Sequence, residues 1–132
     1  MTSAFSRRRL LAAIAAVGAF VPAVRRARGL VVGPDTAVER LAGLFKHRDS
    51  ARAIGSAYLA LRPEEADPYN LVELITRADQ DPLVVHHTSA TELRAWLRRR
   101  QARDFATGRI VNLDGWLLSA TEVRLCALVA LT

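Results

Sequence analysis

Cysteine is almost absent from this 132-residue chain, since Cys126 is its only one. A single cysteine excludes an intrachain disulfide, a covalently attached c-type haem and an iron–sulfur cluster, because each of these needs two or more cysteines. Aromatic residues make up only 6% of the chain, and five prolines and seven glycines are too few for a collagen-like or low-complexity protein. The remaining composition, 51% apolar and 24% charged, is that of one small globular domain.

The body of the chain also lacks net charge. The formal net charge is +6, and residues 1–28 account for all of it with six arginines and no acidic residue. From Gly29 onward, 13 basic residues balance 13 acidic ones. We therefore expect a basic N-terminal segment, 1–28, followed by a single domain, 29–132, that has no general attraction for polyanions and does not bind nucleic acid.

The N-terminal segment has the three-part plan of an export signal. The residues Ser6 to Leu11 are followed by a mildly apolar run that ends at Val24 and by a second basic cluster, Arg25 to Arg28. The pattern Ser-Arg-Arg-Arg-Leu-Leu resembles a twin-arginine (Tat) signal, in which Arg7 and Arg8 are the pair that the Tat translocase reads. The resemblance implies export to the periplasm of a cargo that folds beforehand, either around a cofactor or together with a partner protein.

Two outcomes stay open for this segment after export. Cleavage after Ala23 would release the domain, so that contact with the membrane is transient. The apolar run from Leu10 to Val24 has 15 residues, against the roughly 20 that cross a bilayer core, so a permanent transmembrane helix is disfavoured. The alternative is that the run stays as an uncleaved anchor or forms the first helix of the fold.

Apolar residues in the body recur at the spacing of amphipathic helices. The predicted buried stripes are Val38, Leu41, Ala42 and Phe45 in the first helix, Ile54, Ala57, Tyr58 and Leu61 in the second, and Leu71, Leu74, Ile75 and Ala78 in the third. The second helix begins at Asp49 or Ser50, and the third ends before Asp79–Pro82. Beside the second stripe, Ala51 and Gly55 form a small-residue groove that another helix could approach closely.

Two capping boxes mark the starts of the later helices. The first, Ser89 to Glu92, opens a fourth helix that runs to about Phe105, with Gly108 as its C-terminal cap. The second, Ser119 to Glu122, opens a fifth helix. The segment from Val123 to Leu131 is apolar on nearly every face, which predicts that this last helix passes through the core.

A hairpin is predicted between the last two helices. Two β-prone runs, Ile110 to Leu113 and Trp116 to Leu118, flank Asp114-Gly115, a pair that favours a type I′ turn. We expect this hairpin to direct Trp116 toward the helices. The fold class that follows is all-α: a small bundle of about five helices with one short β-hairpin, after an N-terminal signal helix.

Two stretches of the body, Asp49 to Leu61 and Asp104 to Leu128, resemble short Tat-exported bacterial proteins that have no assigned activity. The second stretch spans the predicted hairpin and most of the last helix. The resemblance covers a minor part of the chain and implies no catalytic residue.

Few side chains of the body are candidates for catalysis or metal binding. His86 and His87 are adjacent, and on an extended segment they would point to opposite faces, so they would not chelate one metal ion. The remaining histidine, His47, and the thiol of Cys126 are too few to complete a ligand set, and we expect Cys126 to be buried and inert. We therefore expect no catalytic residue, no cofactor and no metal ligand in this chain.

Other polar residues have structural explanations. Three serines lie at predicted helix starts, where capping accounts for them: Ser50, Ser89 and Ser119. Three acidic residues lie in a proline-flanked turn without the glycine of a calcium-binding loop, and we interpret them as solvated: Glu64, Glu65 and Asp67.

The one charge run of the body lies on the fourth helix and consists of Arg94, Arg98, Arg99, Arg100 and Arg103. Arg100 alone projects into the apolar stripe that includes Trp96. One interpretation is that its stem covers apolar surface while its head stays in water. The other is that Trp96 and Arg100 form a partner-binding site, because tryptophan and arginine are enriched at interface anchors.

We expect a non-catalytic periplasmic accessory protein: a small subunit, escort or maturation factor that binds a larger redox protein. The expectation combines the Tat-like signal, the lack of a catalytic motif and the Trp96–Arg100 pair. One alternative is a small periplasmic enzyme or metal-binding protein that uses His86 and His87. Another is a membrane-associated structural protein that retains residues 1–28 as its anchor.

Overall fold

Helix caps and turn residues set the ends of the elements in the computed structural model, which describes residues 34–77 and 84–132. The elements in chain order are α1 (Pro34–Ala42), α2 (Arg48–Leu61), a 3₁₀ turn (Pro63–Glu65), α3 (Pro68–Thr76), α4 (Val84–His87), α5 (Ala90–Ala106), β1 (Ile110–Leu113), β2 (Trp116–Ser119) and α6 (Ala120–Ala130). Five of these helices have seven or more residues and the two strands are antiparallel, so the predicted helical bundle with one β-hairpin is confirmed, while the predicted N-terminal signal helix lies outside the described residues. The twin arginines Arg7 and Arg8, the cleavage position Ala23 and the stop at Asp79–Pro82 lie outside the described residues.

The caps that define α5 are those predicted. Ser89 Oγ accepts a hydrogen bond from the Glu92 backbone N–H at 3.2 Å, and the Glu92 carboxylate accepts one from the Ser89 backbone N–H at 2.8 Å. At the other end, Gly108 has φ +71°, and the Arg109 N–H donates to the Asp104 carbonyl at 2.8 Å. This is the Schellman pattern, in which a glycine in the left-handed region closes the helix.

Helix α6 forms the centre of the core, as its apolar sequence predicts. Seven of its 11 residues are buried: Thr121, Val123, Leu125, Cys126, Ala127, Leu128 and Val129. Side chains from α1, α3 and α5, with Leu41, Leu71 and Leu93 among them, pack in the same cluster. A helix that is apolar on most of its faces is stabilised in this position, because each apolar face contacts apolar side chains of other elements.

Helix α2 packs along α6 through its small residues. A Cβ atom built on Gly55 would lie 2.1 Å from the Cys126 carbonyl oxygen, so the two backbones come together where no side chain intervenes. The buried residues of α2 are accordingly Ala51, Gly55 and Tyr58. The predicted small-residue groove is confirmed.

This packing corrects the predicted stripe of α2. Ala57 and Leu61 are exposed rather than buried, because the helix is turned so that its smallest side chains face α6. A second correction concerns the first helix, which ends at Ala42. Phe45 therefore packs against the core from the segment that follows α1, not from the helix itself.

The hairpin has the predicted turn, with φ +50° at Asp114 and +89° at Gly115. These two positive angles are those of a type I′ turn. Across the two strands, Leu113 pairs with Trp116 and Val111 pairs with Leu118. The expected direction of Trp116 is wrong. Leu113 fills the core position at this end of the hairpin, whereas 74% of Trp116 is exposed.

The segment Pro34–Thr132 is one compact unit. Among the helices within the described ranges, none combines the length and the apolar character needed to cross a membrane.

Candidate functional site

The structure places Trp96 and Arg100 in the interior, one helical turn apart on α5. Trp96 is 8% exposed and Arg100 is 3% exposed. The guanidinium carbon of Arg100 lies 5.3 Å from the centre of the indole ring, within the range of a cation–π contact. The head of Arg100 is thus buried instead of solvated. A partner-binding role for Trp96 and Arg100 stays a prediction. In the structure the two side chains pack inside the fold.

The adjacent histidines lie on a single helical turn, α4, rather than on an extended segment. His87 is exposed, while His86 is half-buried and its Nδ1 atom is enclosed without a hydrogen bond to any described residue. The turn is held from α1, because the Arg40 guanidinium donates to the backbone carbonyls of His86 and Thr88. Within the described ranges, histidine, cysteine and acidic residues form no group of three that could hold a metal ion.

Cys126 is buried on α6, as expected. Burial raises the pKa of its thiol to about 12, with a further contribution from the charge of Glu122. The thiol therefore stays protonated near neutral pH, and a protonated thiol is a poor nucleophile and a poor metal ligand.

Two of the three serines cap helices. Ser89 caps α5, and Ser119 Oγ accepts from the Glu122 N–H at 3.0 Å at the start of α6. Ser50 is not an N-cap, because α2 begins at Arg48 with His47 as the capping position. Ser50 is an exposed residue of the first turn.

The acidic turn contains an ion pair that the sequence did not reveal. Asp67 caps α3 by accepting from the Asn70 N–H at 2.8 Å, and Glu64 is exposed. Glu65, in contrast, faces α6 and accepts two hydrogen bonds from the Arg124 guanidinium, at 2.9 Å and 2.8 Å. The Tyr58 hydroxyl donates to the same carboxylate at 2.7 Å. The prediction that Glu65 is solvated is therefore wrong.

This cluster of Tyr58, Glu65 and Arg124 holds its members in fixed protonation states. The Arg124 guanidinium holds the pKa of the Glu65 carboxyl below its ordinary value, and the Tyr58 hydroxyl adds to the effect. Burial raises the pKa of Tyr58 to about 12, helped by its hydrogen bond to Glu65. One sequence signal existed, because Arg124 interrupts an otherwise apolar helix face and a charge there needs a partner.

A second buried carboxylate, Asp104, joins three elements. Its Oδ2 accepts from the Thr121 N–H at 2.8 Å at the start of α6, and its Oδ1 lies 2.9 Å from the Arg109 guanidinium. The negative charge is well placed there, because the free N–H groups of a helix start attract anions. Asp104 thus ties the end of α5 to the start of α6 and to the entry of β1.

A cleft of about 370 Å³ lies beside these clusters and is lined by Tyr58, Arg62, Glu65, Arg109 and Arg124, with the start of the hairpin. Its three guanidinium groups each face a carboxylate: Glu65 for Arg124, Asp104 for Arg109 and Glu64 for Arg62. The charges of the cleft are balanced within the chain, which is the arrangement expected of a structural network.

Three of the large apolar residues that are exposed lie on the hairpin. At the turn end, Trp116 and Leu117 are 74% and 60% exposed, and Ile110 is exposed at the other end of β1. Because successive residues of a strand project to opposite faces, Trp116 and Leu117 place apolar surface on both sides of the turn. We treat this exposed apolar pair as a candidate contact surface, because exposed apolar patches mark interaction sites on proteins.

The two stretches that the sequence singled out, Asp49 to Leu61 and Asp104 to Leu128, correspond to α2 and to the segment from the end of α5 through most of α6. They pack against each other at Gly55, where α2 meets the backbone of Cys126 and Ala127. No protein-family model matches the chain, and comparison with curated proteins and with solved structures finds no match.

Proposed function

We propose that this protein is a non-catalytic accessory protein that binds a larger redox protein in the periplasm through its hairpin. The observation that carries the proposal is the exposed Trp116–Leu117 pair at the turn end of the hairpin. Export by the Tat translocase, through Arg7 and Arg8, is part of the proposal and rests on the resemblance of Ser6 to Leu11 to a Tat signal.

The hairpin suits a protein partner. The backbone of the turn is fixed by the hydrogen bond from the Gly115 N–H to the Asn112 side chain at 2.9 Å. Tryptophan on a fixed backbone loses little conformational freedom on binding, and tryptophan is the residue type most enriched among interface hot spots. Asp114 adds a negative charge beside Trp116, which disfavours insertion of the turn into an anionic lipid surface.

The proposal is tested by affinity isolation of the tagged protein from periplasm. We expect a larger cofactor-containing protein to be retained at a fixed ratio. The double variant Trp116→Ser/Leu117→Ser should lose this protein, because hot-spot truncations each cost about 2 kcal/mol or more of binding. Its melting temperature should stay close to that of the parent, since both side chains are exposed.

A matched control is Leu61→Ser, which removes another exposed leucine from the end of α2. This variant should retain the partner. Equal retention of the partner by the parent and by the Trp116/Leu117 double variant would contradict the proposal.

A further inference from the structure

A second surface, on α5, carries positive charge that no described residue of the chain neutralises. A groove of about 190 Å³ runs beside α5, and its apolar lining residues are Leu44, Phe45, Leu97 and Leu125. Arg94, Arg98 and Gln101 line the same groove. These three residues are spaced i, i+4 and i+7, so they form one row along the helix.

The row carries uncompensated positive charge. Arg94 and Arg98 are exposed, and neither forms an ion pair with any residue in the described part of the chain. The groove therefore differs from the cleft beside Arg124, where each guanidinium group faces a carboxylate. Among residues 34–77 and 84–132, no acidic residue lines the groove, so its charge is complementary to an acidic ligand.

The size of the groove indicates what kind of ligand it fits. A volume of about 190 Å³ is below the roughly 300–1,000 Å³ of small-molecule sites, and it suits one or two apolar side chains. A helix presenting apolar residues at i and i+4 could insert these two side chains. Carboxylates on its flank could then meet Arg94 and Arg98, which lie about 6 Å apart along the axis of α5.

We propose that this groove binds an acidic amphipathic helix of a partner protein. The inference rests on the proposed function, in that it assumes a protein partner, and it adds a second contact surface to the hairpin. The chain's own N-terminal segment is disfavoured as the occupant, because residues 1–28 carry six positive charges. A lipid surface is disfavoured because Leu97 and Leu125 are buried and Leu44 and Phe45 are half-buried, whereas membrane insertion needs exposed apolar side chains.

The test uses three synthetic helical peptides about 16 residues long, a length at which isolated helices begin to form. They share one stripe of leucine and phenylalanine and carry glutamate, glutamine or lysine on the flanks of the stripe. Affinities for the full protein are measured by fluorescence anisotropy. We expect the glutamate peptide to bind most tightly and the lysine peptide most weakly, with the difference falling as salt is added.

The decisive variant is Arg94→Glu/Arg98→Glu. It should weaken the glutamate peptide about tenfold or more and reverse the order of the three peptides, because like charges now meet at the groove. The control Arg52→Glu/Arg99→Glu has the same net charge, and both of its positions lie outside the groove lining. The control should keep the order of the parent.

Three results would overturn the proposal: the absence of binding by all three peptides, the same order of affinities in both double variants, or binding to phosphatidylglycerol vesicles in preference to the glutamate peptide. Self-association that is lost in Arg94→Glu/Arg98→Glu, without peptide binding, would also overturn it and would assign the groove to a second copy. The hairpin double variant Trp116→Ser/Leu117→Ser should still bind the glutamate peptide, so failure here is distinct from failure of the proposed function.

Discussion

At the scale of single residues, Gly55 sets how closely two helices approach. Any Cβ atom at this position would meet the Cys126 carbonyl group at 2.1 Å and 2.4 Å and the Ala127 nitrogen at 2.7 Å. These are backbone atoms of a buried helix, so they cannot rotate away as the end of a flexible side chain can. The contact between α2 and α6 therefore depends on the absence of a side chain.

We predict that Gly55→Ala destabilises the protein, although alanine favours helices by about 1 kcal/mol over glycine. Overpacking costs typically about 1–3 kcal/mol, and here the contact is with backbone, so the clash should exceed the gain in propensity. Thermal unfolding should show a melting temperature several degrees lower. The control Ser56→Ala, at an exposed neighbouring position, should show none of this loss. A melting temperature for Gly55→Ala at or above that of the parent would contradict the packing described here.

The Glu65–Arg124 pair is the second determinant at this scale, and it predicts a pH dependence. Arg124 lowers the pKa of Glu65 in the folded state. Ionisation of Glu65 therefore stabilises the fold above the ordinary glutamate pKa of 4.5, and the stabilisation is lost as the pH falls through the lowered value. We expect Glu65→Gln to reduce the free energy of unfolding by about 2 kcal/mol at pH 7.

Urea unfolding of parent and Glu65→Gln across the acid range checks this prediction. The difference between them should be largest near neutral pH and should shrink well below pH 4.5, because the parent then loses the ionised carboxylate as well. Glu64→Gln is the matched control, since Glu64 is an exposed neighbour whose distance to Arg62 is 3.6 Å. A difference that is constant with pH would show that the pair contributes nothing through its charge.

At the scale of elements, the hairpin depends on its two-residue turn. Gly115 has φ +89°, a region that β-branched residues resist. Apart from Gly115 and its two chain neighbours, no heavy atom of the described residues lies within 4 Å of a Cβ built on Gly115, so a substitution there affects the backbone conformation and creates no clash.

We predict that Gly115→Val lowers the free energy of unfolding by about 1–2 kcal/mol or more, the usual cost of left-handed backbone for a residue with a Cβ atom. Gly115→Asn should cost less, since asparagine tolerates this region. Melting temperatures measure both effects, at about 4–8 °C per kcal/mol for a domain of this size. A valine variant that melts within about a degree of the parent would contradict the type I′ turn.

Local signals predicted the elements better than their orientation. The capping box at Ser89, the glycine cap at Gly108 and the turn at Asp114-Gly115 depend on contacts within a few residues, and all three are confirmed. The direction of Trp116, the solvation of Glu65 and the buried face of α2 depend on residues distant in the chain. Arg124, for example, is 59 residues from Glu65. Periodicity along one segment contains no information about such a partner.

The same limit applies to the candidate site. The sequence singled out Trp96 and Arg100 because an arginine interrupts an apolar stripe, and the structure shows that the two side chains pack on each other. Trp116 is a tryptophan like Trp96, and its position in a predicted strand favours burial on one face of the hairpin. Only the three-dimensional arrangement, with Leu113 in the core position, leaves it in solvent.

At the scale of the whole molecule, the two tryptophans of the chain occupy opposite environments. Trp96 is enclosed with Arg100 on α5, and Trp116 projects from the hairpin. We propose that the exposed tryptophan binds the partner, while the enclosed one stabilises the fold. Because the chain has only two tryptophans, a label on tryptophan reports on both environments in one sample.

The most direct measurement is ¹⁹F NMR of the protein labelled with 5-fluorotryptophan, with the unlabelled partner from the periplasmic isolation added. The variant Trp116→Phe assigns the two resonances. We predict that partner binding shifts the Trp116 resonance and protects it from broadening by a soluble paramagnetic agent, while the Trp96 resonance keeps its chemical shift. A Trp116 resonance that stays unshifted and unprotected in the complex, or a change confined to Trp96, would contradict the account.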